Sequence, residues 1–191
     1  MIKALNEQDL LPRIICGSSV GSIIAAYVCC HSLEELSEVM KIENYIDKPL
    51  LKFKHESFWQ QVLSFARGES VLDTEHLKSL IRDAIGDITF KEVHDRYKWC
   101  LNITVTHATK TDEGLLLNYM TSPNVLIWSA VSASTAIPRF FDPVELMVKT
   151  DSGEILPYHP DNQRYIDGSV AGDLPMQRMS ELFNVNTFIV S

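Results

Sequence analysis

Hydrophobic positions follow two periods along this chain, and the switches between them mark its elements. Leu77, Leu80, Ile81, Ala84 and Ile85 recur at helical spacing, so Thr74 to Ile85 is predicted as an amphipathic helix that Gly86 stops. Leu101, Ile103 and Val105 alternate with Asn102, Thr104 and Thr106, which predicts a strand over Cys100 to Thr106. Between them Thr89 and Glu92 have the spacing of a capping box, opening a short helix to Tyr97. Upstream, Met1 to Leu10 reads as the tail of a helix ended by Pro12, and Arg13 to Cys16 as a short strand. Val20 to Cys30 is apolar almost all round, the mark of a helix buried between a sheet and other elements.

A second capping box, Ser32 to Glu35, predicts a helix to Met40, and Phe58, Val62 and Phe65 predict another over Ser57 to Arg67. A polar turn is expected from Thr109 to Gly114, then a strand from Leu115 to Tyr119. Ser122-Pro123 has the form of a helix start, with a small-residue helix from Val125 to Ala136 ended by Pro138. Val144 to Val148 and Glu154 to Tyr158 form a hairpin about Asp151-Ser152-Gly153, and Arg164 to Ile166 a further strand. Leu174 to Leu182 is a helix, and Asn186 to Val190 reads as a buried strand. Helices and strands mix over the whole length without an internal repeat, which predicts an α/β layered domain.

Composition narrows the picture. At 191 residues and 46% hydrophobic, the chain suits one domain with a sizeable core. A formal charge of -8 weighs against a nucleic-acid binder. Cys16, Cys29, Cys30 and Cys100 contain no CxxC pair and read as small buried hydrophobes in a reducing compartment. The longest fully apolar run, Ile23 to Cys30, is too short to span a bilayer, so any lipid contact is expected to be peripheral.

Chemistry concentrates at Gly17-Ser18-Ser19-Val20-Gly21. A Gly-x-Ser-x-Gly pattern between a buried strand and a helix is the arrangement of a nucleophile elbow. Gly17 and Gly21 are expected to remove side chains that would collide in the turn, and the Val20 N–H to face a developing oxyanion. Two partners for Ser19 are open on the residues alone. Asp151 and His159 supply the order of a hydrolase triad, although only 18 residues precede Ser19 where that fold builds several strands. Asp167, after the strand Arg164 to Ile166 and before Gly168, supplies a carboxylate held in a turn, which can act as a base or simply as an Asx-turn.

The chain resembles the patatin-like phospholipase family, in particular its triacylglycerol-lipase branch of fungi and plants. The text that carries the resemblance begins with Leu11-Pro12-Arg13-Ile14-Ile15 and the elbow, then Gly86-Asp87-Ile88-Thr89-Phe90 and Leu101-Asn102-Ile103-Thr104-Val105. It continues with Asn118-Tyr119, Ser122-Pro123-Asn124-Val125, Ala133-Ser134-x-Ala136-Ile137-Pro138, Asp167-Gly168-Ser169 and Asp173-Leu174-Pro175-Met176. The resemblance implies a three-layer α/β/α patatin-like (lysophospholipase-like) fold and a Ser19–Asp167 dyad, without metal or cofactor. Gly168 and Ser169 complete the Asp-Gly motif; glycine or alanine is commoner at the position of Ser169 in the wider family. It further implies an acyl-lipid substrate, triacylglycerol or a phospholipid, met peripherally at a lipid-droplet or endoplasmic-reticulum surface inside the cell. Family members carry a glycine-rich oxyanion loop well before the elbow and continue past the strand that ends here. The first glycine of this chain is Gly17, so residues 1–191 are expected to be a partial domain of low activity or a scaffold.

Overall fold

The computed structural model describes residues 2–32, 74–138, 140–172 and 174–190. The two helices predicted between Ser32 and Arg67, the aromatic segment Phe53 to Phe65 and Asp173 lie outside the described residues. The chain enters through α1 (Ile2–Glu7), β1 (Ile14–Gly17) and α2 (Val20–Cys29). It resumes with α3 (Thr74–Ile85), α4 (Phe90–Tyr97), β2 (Cys100–His107) and β3 (Lys110–Leu117). After α5 (Ile127–Ser134) come the short strands β4 (Val144–Glu145), β5 (Met147–Lys149), β6 (Ile155–Pro157) and β7 (Arg164–Asp167). A 3-10 turn (Gly168–Val170) and α6 (Met176–Phe183) follow.

Among the described residues strand β2 is the axis of a five-stranded sheet. Its register settles how the other strands lie. Ile103 is paired with both Gly17 and Leu117, and Val105 with both Leu115 and Asp167. A strand residue has one neighbour on each edge, so β3 occupies one edge of β2 while β1 and β7 share the other. β1 runs parallel to β2 and β7 antiparallel. The two therefore approach each other head to head along one edge. β1 stops opposite Ile103 and β7 opposite Val105, two residues apart, a rise of about 7 Å. The chain leaves that junction into α2 on one side and into the 3-10 turn on the other.

Leu101, Ile103 and Val105 join one apolar cluster with Ile23, Ala26, Val28 and Cys29 of α2 and Val131 and Ala133 of α5. The alternate residues, Asn102, Thr104 and Thr106, are also buried, so β2 is covered on both faces, and its second face is polar. Asn102 is met there by Asn118, whose Nδ2 donates to Asn102 Oδ1 at 3.0 Å. All eight residues of α5 are buried. Its small side chains allow this close packing.

Four expectations are corrected. The polar stretch from Thr109 to Gly114 is not a long turn: β3 already begins at Lys110, and a tight turn with a shifted register at Thr106 and His107 joins it to β2. Ser122-Pro123 does not start α5, because the backbone there is committed elsewhere: Lys91 N–H donates to Pro123 O at 2.9 Å and Leu126 N–H to Met147 O at 2.8 Å. In the hairpin region β5 and β6 pair as predicted from Met147↔Pro157 to Lys149↔Ile155, while Val144 and Glu145 pair instead with β7. Asn186 to Val190 is not a buried strand; Phe188, Ile189 and Val190 are exposed and no strand is assigned. Apolar sequence alone does not make a strand without an edge to pair with.

Candidate active site

The turn from β1 into α2 holds a strained residue. Ser19 has φ 52 and ψ -132. Lys98 and Asn184 also have positive φ, but they lie in the left-handed region as helix C-caps. Ser19 does not, and a residue held so far from the ordinary regions costs about 1–3 kcal/mol. Such strain is what a nucleophile elbow stores. Serine is a favoured N-cap, yet the Ser19 side chain makes no capping hydrogen bond to α2. Its half-buried hydroxyl is left to do something else.

Gly17 is required at this turn. A Cβ there would stand 2.5 Å from Gly21 O and 2.6 Å from Ser22 Cα, because α2 folds back directly over the end of β1. The matching expectation for Gly21 is not met: a Cβ at that exposed position would meet nothing within 4 Å. Only the first glycine of the pattern makes room among the described residues. The N–H groups of Gly21 and Ser22 donate to Ser18 O and Ser19 O, each at 2.9 Å, and Ser22 Oγ donates to Ser19 O at 2.6 Å. Ser19 N–H donates to Ser134 Oγ at 3.0 Å. Among the described residues the Val20 N–H has no acceptor, the condition for an oxyanion donor at a helix start.

Asp167 ends β7, 2% exposed. Its Oδ1 accepts from Ser169 N–H at 2.9 Å and from Ser169 Oγ at 2.8 Å, so both bonds fall on one carboxylate oxygen and fix the group's rotation. Gly168 is as constrained as Gly17. A Cβ there would lie 2.4 Å from Thr104 Oγ1 and 2.5 Å from the Thr104 backbone. Thr106 Oγ donates to Gly168 O at 3.3 Å. The polar face of β2 is thus the seat of the Asp-Gly turn. Thr104 lies between the β2 positions that face Gly17 and Asp167, and its buried Oγ1 has no hydrogen-bond partner among the described residues.

Ser19 and Asp167 are tied to one short piece of chain. Ser134 accepts the Ser19 N–H, and Ala136 O accepts the Asp167 N–H at 3.1 Å. The head-to-head ending of β1 and β7 and this shared turn place the two residues at one junction. The triad alternative gets no such support. Asp151 lies exposed in the β5–β6 turn, and the His159 ring packs against Tyr158 and Tyr165 at centroid distances of 4.4 and 6.4 Å. His107 bonds to Thr109 and Gln163.

The cysteines take no part. All four are free thiols. Cys29 and Cys30 are buried as expected, and burial pushes the Cys30 thiol up to about 12. Cys16 is exposed and Cys100 half-buried, a correction to the reading of all four as core residues. No group of His, Cys, Asp and Glu suited to a metal occurs among the described residues, and none of the described helices is long and apolar enough to cross a membrane. Sequence reasoning missed Ser134, one of five small residues in its helix with no local sign of its partner 115 positions away. It missed Thr104 as well, read only as the polar half of an alternating strand.

Comparison with known proteins identifies the family. The family model for patatin-like phospholipases matches residues 1–179. The chain is 40% identical to triacylglycerol lipase SDP1L of Arabidopsis thaliana, over all of this chain and 25% of that protein. It is 37% identical to triacylglycerol lipase 4 of Saccharomyces cerevisiae, over 99% of this chain and 22% of that one. For triacylglycerol lipase ptl3 of Schizosaccharomyces pombe the identity is 36%, over 100% of this chain and 41% of that protein. The chain thus spans well under half the length of these relatives. A strained serine elbow, a buried Asp-Gly turn at the same sheet junction, and a family match over nearly the whole length lead to one conclusion: the chain belongs to the patatin-like phospholipase family, with its α/β fold.

Proposed function

We propose that this chain carries the catalytic residues of a serine acylhydrolase, with Ser19 as nucleophile and Asp167 as its base. The observation that carries this reading is the meeting of β1 and β7 on one edge of β2, which brings the strained serine turn and the buried carboxylate to the same place. Ser19 Oγ attacks the ester carbonyl while Asp167 takes its proton. The Val20 N–H donates to the oxyanion of the tetrahedral intermediate. The alcohol leaves with a proton returned by Asp167, and water then releases the fatty acid from the acyl-serine. Ser169 holds the Asp167 carboxylate in the rotation this exchange needs, while Gly17 and Gly168 let the two turns approach their neighbours.

The names of the relatives direct the substrate to triacylglycerol, with a phospholipid or lysophospholipid as the alternative. The reading places the protein peripherally on a lipid droplet or on the endoplasmic reticulum, which imaging of a tagged copy tests. Labelling with a fluorophosphonate, followed by peptide mass spectrometry, tests the nucleophile. Ser19→Ala is expected to abolish labelling, and Asp167→Asn to lower both labelling and ester turnover at least about 1,000-fold. His159→Ala is expected to leave both intact. Turnover that survives Asp167→Asn and disappears in His159→Ala would overturn the dyad. Parallel assays on triacylglycerol emulsions and phospholipid vesicles decide the substrate class.

A further inference from the structure

Ser134 bonds the nucleophile turn from a distant helix, and nothing in the local sequence of the elbow requires it. We propose that Ser134 is a positioning residue, the brace that holds Ser19 in its strained conformation and sets it in register with Asp167. The inference rests on the reading of Ser19 as nucleophile and Asp167 as base.

The argument starts from backbone accounting. A half-buried N–H at a strained turn needs an acceptor. In most helix starts the first N–H groups are satisfied by the cap side chain or by water. Here the Ser19 N–H, at the cap position of α2, donates to the hydroxyl of Ser134 at 3.0 Å. Ser134 is fully buried in the last turn of α5, so its hydroxyl stands on a packed helix and not on a mobile loop. Two residues later, Ala136 O receives the Asp167 N–H at 3.1 Å. One rigid turn therefore grips the backbone of both reacting residues. A shift of that turn would move the serine and the carboxylate together, which preserves their separation.

The same bond fixes which groups can stabilise an oxyanion. The nucleophile's own N–H is already spent on Ser134 and cannot donate to substrate. The Val20 N–H is the elbow group left for that role. Ser134 thereby sorts the two adjacent N–H groups, one to structure and one to chemistry.

The test compares Ser134→Ala with Ser132→Ala. Ser132 is a buried hydroxyl on the same helix, but its Oγ donates to Trp128 O at 2.7 Å and does not touch the elbow. Both variants delete one buried hydroxyl, so loss of packing or of helix stability affects them alike. In the purified protein, Ser134→Ala is expected to lower the maximal rate of fluorophosphonate labelling about 10- to 100-fold, with the half-saturating probe concentration unchanged. Ser132→Ala is expected to leave that rate within about twofold of the wild type. Equal labelling rates in the two variants would overturn the proposal. Amide hydrogen exchange at Ser19 reads the brace without any chemistry. Exchange there should quicken about 10-fold or more in Ser134→Ala alone, and unchanged exchange would overturn the brace whatever the activity. If the wild type does not label at Ser19 but Ser134→Ala still frees the amide, the nucleophile fails and the brace stands.

Discussion

Helices α2 and α4 both begin on a hydroxyl residue, Ser19 and Thr89, yet only Thr89 caps its helix. Thr89 Oγ1 accepts from Glu92 N–H at 3.2 Å, and the Glu92 carboxylate accepts from Thr89 N–H at 2.8 Å. The backbone of Thr89 is extended and relaxed. Ser19 is strained, caps nothing, and depends on a serine 115 residues away. At α4 the Thr89 hydroxyl is used for capping, and the remaining first-turn N–H groups are also bonded, Phe90 to Val125 O at 3.3 Å and Lys91 to Pro123 O at 2.9 Å, so the helix start is fully satisfied. At α2 the hydroxyl is withheld from capping, and the stability it would have supplied comes from Ser134, Ser22 and the close packing of Gly17. A helix start whose own hydroxyl is left out of capping fits the proposed role of Ser19 as nucleophile.

The sharpest way to break this comparison is Gly17→Ala. The new Cβ would press on backbone atoms of Gly21 and Ser22, which cannot swing aside. A loss of about 3 kcal/mol is expected, lowering the melting temperature by about 6–12 °C for a chain of this size. Esterase activity should vanish with the elbow. A melting curve that matches the wild type would show that α2 does not fold over β1 this closely. Thr89→Ala is expected to cost less, about 1 kcal/mol, and to leave labelling of Ser19 unchanged, since the α4 start serves structure alone. A loss of activity larger than the loss of stability would break the contrast between the two helix starts.

These two sites also show why some features were legible in the sequence and others were not. The Thr89 box was legible because both of its bonds close within the four residues that spell it. The Val20–Cys29 and Thr74–Ile85 helices and the Cys100–His107 strand were legible because long periodic stretches report their own burial. The Gly-x-Ser-x-Gly pattern located the strained serine, but not what fills the space beside each glycine, so Gly17 and Gly21 looked equivalent. Ser134 was hidden because its partner is far away in sequence and its own helix holds several serines. Lys110 to Gly114 escaped because the sequence Lys-Thr-Asp-Glu-Gly carries no apolar alternation, and Asn186 to Val190 misled because an apolar run names no partner. Local bonds are written locally. Partners brought together by the sheet are not.

Gly21→Ala separates the two glycines directly. With nothing within 4 Å of the new Cβ, and the residue inside α2, the substitution is expected to gain about 0.5–1 kcal/mol from helix propensity. Activity should be kept. A loss as large as that of Gly17→Ala would mean that Gly21 faces a neighbour outside the described residues.

Acid should separate the two helix starts by the smallest margin. The α4 start is wired by charge: Arg82 donates to both carboxylate oxygens of Asp87 at 2.8 Å, and Trp128 Nε1 donates to Asp87 Oδ1 at 2.9 Å. Lys149 Nζ reaches the Glu92 carboxylate at 2.6 Å and Asp87 O at 2.8 Å. The Arg82 hydrogen bond, chiefly, holds the Asp87 carboxyl below its ordinary value. Partial burial pushes Glu92 up, but the bonds from Lys149 and the Thr89 N–H outweigh it and leave Glu92 lowered as well. A carboxylate whose folded pKa is depressed adds stability that is present above its unfolded value, about 4, and is lost as pH falls through the folded value. Because these pairs are partly exposed, the loss is expected to be a few tenths of a kcal/mol each. Among the described residues the first turn of α2 is bonded by neutral hydroxyl and amide groups alone. Amide exchange followed from pH 6 down to pH 3, corrected for intrinsic rates, should therefore loosen α4 before α2. Glu92→Gln should flatten the response of α4. Equal loosening of both helices would mean that acid acts on the fold as a whole, and that the charged and neutral helix starts differ in composition but not in independence.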